Sequence, residues 1–163
     1  MSTPPHCHDD EPRLAVDPGL SVVVDLAGAP QVRIERDPAS KRQEFVPIGS
    51  RRPEDLTLTV GGAVGELRPS RAAMTRRSHR VHAVVGGSTY LFTPVSVDES
   101  ALLRDDVRLG TFARDDDGLA ATPDSAEVTP LETALGYALA EAFGTGARSL
   151  VAGLFEVASL TPD

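Results

Sequence analysis

The run Leu56-Thr57-Leu58-Thr59-Val60-Gly61-Gly62-Ala63 and the run Val81-His82-Ala83-Val84-Val85-Gly86-Gly87-Ser88 decide the reading of the fold. Each is a short β-prone run that breaks at a Gly-Gly pair. Two-residue hairpin turns of types I′ and II′ need positive φ, which glycine adopts at no steric cost. The sequence therefore predicts two successive hairpins, Leu56 to Val60 with Ala63 to Arg68, and Arg80 to Val85 with Ser88 to Thr93. Gly61 and Gly86 stand 25 residues apart, and Pro69 and Pro94 each follow the second glycine of their pair by seven residues. Two copies fall short of the roughly three that a solenoid requires. The similarity is therefore read as a local duplication or as shared hairpin chemistry.

The same punctuation continues outward from these hairpins. Upstream, Leu14 to Val16 and Leu20 to Leu26 flank Asp17-Pro18-Gly19, and Gln31 to Arg36 alternates strictly between polar and apolar residues. Phe45 to Ile48 reads as a weaker strand, at an edge or bulge because Pro47 cannot donate to a ladder. Downstream, Ala101 to Arg104 and Val107 to Arg114 flank Asp105-Asp106, and Asp115-Asp116-Asp117-Gly118 turns the chain into a last strand near Leu119 to Ala121. At Thr129 the period changes. Thr129-Pro130-Leu131-Glu132 sets a capping hydroxyl, a proline at the first helical position and a glutamate three residues after the cap. Leu131, Leu135, Ala138, Leu139 and Ala142 then share one helical face. After Gly144-Thr145-Gly146, a stop or kink, Leu150, Val151, Leu154, Phe155 and Ala158 form a second.

These elements give an α+β fold: a curled antiparallel sheet or small barrel of about eight to ten short strands, with a C-terminal helix or helical hairpin over residues 130–159 packed against or inside it. Residues 1–12 are expected to be a disordered tail, and residues 13–163 one β-rich domain. The element order is similar to two known architectures, the pleckstrin-homology-like barrel capped by a helix and the tubby-like barrel with an apolar helix through its middle. That likeness is one of order alone, and no site is carried over from either.

Of the 163 residues, 24 are acidic and 16 basic, a net charge of −8 that opposes general attraction to nucleic acid or anionic lipid. Residues 70–82 stand apart, with Arg71, Arg76, Arg77 and Arg80 and no acid. Arginine offers bidentate donors to phosphate and carboxylate, so Arg76, Arg77, Arg80 and His82 form the candidate ligand-binding set. Alternation places Arg80, His82 and Val84 on one strand face and Val81, Ala83 and Val85 on the other. The aromatics of a single-stranded nucleic-acid platform are missing there.

His6, Cys7 and His8 are metal-ligand types, but a structural site draws on separated pairs and none is present, so no metal is assigned. Asp115 to Asp117 lack the spacing of a calcium loop and read as a turn. No nucleotide-binding or hydrolase motif occurs, and no cofactor is expected. A non-catalytic binding or scaffold domain for a protein or a small anionic ligand is the favoured reading. The alternative is a small enzyme with a site assembled around His79 or His82, which a buried carboxylate against either histidine would favour. Cys7 is the sole cysteine. His6 to Glu11 is too polar for a signal-peptide core, and Glu132, Glu141, Arg148 and Glu156 interrupt every apolar run that could span a membrane. A cytoplasmic protein is expected.

Overall fold

The structure is a computed structural model that describes residues 11–70, 79–125 and 127–146. The chain forms two antiparallel meanders. β1 (Arg13–Asp17), β2 (Ser21–Asp25), β3 (Val32–Arg36), β4 (Leu56–Val60) and β5 (Ala63–Val64) make a five-stranded sheet in sequence order. β6 (Glu66–Pro69), β7 (Val81–Val85), β8 (Ser88–Pro94), β9 (Glu99–Arg104), β10 (Val107–Asp115) and β11 (Gly118–Pro123) make a six-stranded one. One α-helix, α1 (Pro130–Phe143), follows. The α+β class holds, while the single curled sheet or closed barrel gives way to two sheets that do not close on each other.

The division falls at Gly65. The hairpin at Gly61-Gly62 pairs β4 with only two residues of β5, and the expected continuation to Arg68 instead enters the second sheet, where Glu66 to Pro69 pair with β7. Gly65 donates its N–H to the Leu58 carbonyl at 2.9 Å, and a β-carbon there would lie 2.7 Å from the Val84 carbonyl oxygen. A bare backbone is what lets the chain pass between the sheets. The second hairpin forms as expected, with Val85 opposite Ser88 across Gly86-Gly87. Phe45 to Ile48 is not a strand. The Ile48 N–H goes to the Ala142 carbonyl of α1 at 3.0 Å, and the Gly49 N–H to Val46 at 2.8 Å, so this segment is a strap across the end of the helix.

Helix α1 begins as the sequence predicts. Thr129 and Glu132 form a reciprocal capping box with Pro130 in the first turn. Its burial exceeds a single face: besides Leu135, Ala138, Leu139 and Ala142, the residues Ala134, Gly136, Tyr137, Ala140 and Phe143 are buried too. The reason is its position, packed against β2 and β3 of one sheet and β10 and β11 of the other. A helix enclosed in this way must be apolar all round. Side chains of both sheets and α1 join in one apolar cluster.

The inner face of the five-stranded sheet extends past the helix. Leu14 and Val16 of β1 stand opposite Val24 and Val22, which are buried, yet Leu14 and Val16 are 37% and 43% exposed. No helix among the described residues is long and apolar enough to cross a membrane. Residues 1–10 of the expected tail, with His6, Cys7 and His8, and the second helical face from Leu150 to Ala158 lie outside the described residues.

Candidate functional site

The end of α1, the strap after β3, and the junction of β6 with β7 meet at Arg51. The strap is held by its own polar side chains: Gln43 Oε1 accepts the Arg51 N–H at 3.0 Å, and Ser50 Oγ donates to Asp55 at 2.9 Å. Arg51 is thereby turned inward, with 7% of its surface exposed. Its Nε donates to the Ser70 carbonyl at 3.0 Å and its Nη2 to the Arg80 carbonyl at 3.3 Å. The guanidinium lies over the Phe143 ring, 5.4 Å from its centroid, a cation–π contact at the negative end of the helix dipole. Loss of hydration brings the Arg51 pKa down to about 10, so it is still charged at neutral pH.

Two further basic residues adjoin it, Arg80, whose carbonyl Arg51 bonds, and His79, which precedes Arg80 in the chain. His79 Nε2 and Arg80 Nε are buried without a hydrogen-bond partner, a condition that costs free energy unless something completes them. Burial, and then the neighbouring charge of Arg51, hold the His79 imidazole below its ordinary pKa. The ion pairs among the described residues are made by Arg33, Arg52, Arg68, Arg104, Arg108 and Arg114. Arg51 and Arg80 take part in none of them. Arg36, also buried and also outside these ion pairs, donates from Nε to the Gly19 carbonyl and from Nη1 to the carbonyls of Asp37 and Ser40 and the Ser40 hydroxyl.

The strand alternation places the predicted residues as read: Val81, Ala83 and Val85 are buried, and His82 is exposed on the other face, across from Arg68. His82 is thus exposed, while Arg80 is half-buried, with its Nε buried. Arg76 and Arg77 lie outside the described residues. Arg51 was missed by the sequence reading, because Ser50-Arg51-Arg52-Pro53 looks like any polar loop and nothing local separates buried Arg51 from exposed Arg52. The aspartates at the end of β10 and just beyond it form a turn, with Asp115 Oδ1 accepting the Asp117 N–H at 2.8 Å, and no metal-binding cluster occurs among the described residues.

A concavity of about 190 Å³ lies at the start of α1 between β10, β11 and the helix, lined by Leu102, Leu109, Phe112, Val128, Tyr137 and Glu132. The Glu132 carboxylate on its wall is fully employed. It accepts from the Thr129 N–H and hydroxyl, both at 3.1 Å, and from Arg104 Nη1 at 2.7 Å. Comparison with known proteins finds no matching family model, no similar curated protein and no matching solved structure.

Proposed function

We propose that this protein is a non-catalytic binding domain for a small anionic ligand, held by Arg51, His79 and Arg80. The observation that supports the reading is the buried Arg51 guanidinium, whose partners among the described residues are two carbonyls and a ring but no carboxylate, near His79 and Arg80, each with an unpartnered buried nitrogen. Burying a cation without a counter-ion is costly, and an anion supplied from solution offsets that cost. The enzyme alternative calls for a buried carboxylate against His79 or His82, whereas the charged group acting on His79 is Arg51.

Titration with sulfate at low ionic strength, where screening is weakest, tests the reading. Wild type should bind, and Arg80→Gln should lose most of the affinity with its circular dichroism unchanged. Absence of binding by the wild type at low salt overturns it.

A protein partner is the second reading, favoured by β1, an edge strand whose Leu14 and Val16 are exposed on the core-facing side. The fitting partner is an extended apolar segment that adds a strand to this edge. Ala15→Pro should then abolish its binding and leave sulfate binding intact. The acidic charge argues against nucleic acid as the partner, and the lone cysteine is in keeping with a cytoplasmic protein.

A further inference from the structure

Resting on the anion reading of the Arg51 cluster, we infer that the anion enters together with a proton taken up by His79, so that the site holds a small doubly charged oxyanion more tightly as the pH falls. The cluster contains three basic groups of two kinds. Arg51, with its pKa at about 10, keeps its charge throughout the physiological range. His79 is the member whose charge can change there.

In the free protein the surroundings oppose a charged imidazole. His79 is half-buried, Arg51 stands beside it, and its Nε2 has no acceptor to receive an N–H. The carboxylates on the packed elements are committed elsewhere: Glu54 and Asp55, on the 3-10 turn (Pro53–Asp55) that packs against β6, to Arg52 and Ser50, and Glu141 on α1 to Arg114. Among the described residues no ion pair joins any of them to His79. A dianion in contact with the three groups reverses the balance, because it neutralises the repulsion from Arg51 and offers an acceptor to Nε2. The charged ring donates from both nitrogens, the neutral ring from one. Anion and proton therefore favour each other, and the coupling is reciprocal.

The experiment is calorimetric titration of the full chain with sulfate, whose charge stays constant between about pH 5.5 and 8, in two buffers of different ionisation enthalpy. The association constant is expected to rise by about three- to tenfold per unit fall in pH, tenfold being the ceiling for one proton, with heats that differ between buffers by the uptake of up to about one proton. His79→Gln keeps an N–H donor and removes the titration, so it should bind sulfate with a flat pH profile. Histidine ring resonances of the wild type give a second readout that needs no variant: sulfate should raise the pKa of His79.

Wild-type binding that does not change with pH, a slope that survives in His79→Gln, or an unmoved His79 titration overturns the proton coupling while leaving the anion site standing. Failure of the wild type to bind sulfate at any pH at low ionic strength removes the site itself, and the coupling with it.

Discussion

The ring of Phe112 on β10 rests directly on the backbone of Gly136 in α1, so close that a β-carbon on Gly136 would overlap the Cζ and both Cε atoms of the ring. The ring cannot swing aside, since it also meets Phe92 and Tyr137 edge to face, at centroid distances of 6.1 and 5.5 Å. Glycine in a helix interior ordinarily costs about 1 kcal/mol relative to alanine. Here Gly136→Ala should instead destabilise, by about 1–3 kcal/mol net, the scale of overpacking in a well-filled core. Urea denaturation would measure it, and adding Phe112→Leu to the variant should recover part of the loss through a coupling between the two sites. A gain in stability from Gly136→Ala alone would contradict this packing.

The start of the same helix joins a cap to a buried charge. Thr129 Oγ1 accepts the Glu132 N–H at 3.2 Å, and Glu132, 1% exposed, reaches back to Thr129 and across to Arg104. Thr129→Ala should cost about 1 kcal/mol, as for other capping hydroxyls. Arg104→Met should cost more, roughly 2 kcal/mol, because it leaves the carboxylate buried with its cap bonds and no cation. The estimate stays below that for a fully buried pair because Arg104 is itself 39% exposed. Equal costs for the two variants would mean that Arg104 serves only as a surface charge.

The turn between β9 and β10 carries strain that a glycine would relieve. Asp105 and Asp106 both adopt positive φ, 48° and 67°, where a side chain costs about 1–2 kcal/mol, somewhat less for aspartate. Asp106→Gly should therefore stabilise by up to about 1 kcal/mol, and Asp106→Val should destabilise, with its branched β-carbon in the same region. Midpoints of chemical denaturation would order the three proteins; a valine variant as stable as wild type would count against a left-handed turn.

What the sequence made legible follows from locality. The Gly86-Gly87 hairpin, the capping box at Thr129 and the alternation through Val81, Ala83 and Val85 are each set by residues within a few positions of one another, and each appears as read. The split into two sheets was hidden because it depends on Gly65 meeting Val84, a contact that no local pattern announces. The strap was misread as a strand because the partner of the Ile48 N–H is Ala142, far along the chain. The site divides in the same way. Arg80 stood out by belonging to an acid-free segment, whereas Arg51 acquires its burial from Phe143 and from the carbonyls of Ser70 and Arg80, which only the fold brings together.

His79 also gives the stability of the free protein a pH dependence of definite sign. Burial and the charge of Arg51 hold its folded-state pKa below the ordinary 6.5. As the pH falls through 6.5 the unfolded chain takes a proton at this position while the folded chain does not. The unfolded state then binds more protons, so stability falls with pH until the folded pKa is reached, and below it the penalty stays constant. In a chloride buffer, thermal midpoints of the wild type should therefore fall on acidification from about pH 7.5 to 5.5, and those of His79→Gln should fall less, the remainder coming from carboxylates that titrate lower. Saturating sulfate should shrink the difference between the two proteins, because an anion at the cluster favours the charged imidazole that the empty site disfavours. Superimposable pH profiles for wild type and His79→Gln in chloride would show that His79 is as well solvated in the folded chain as in the unfolded one.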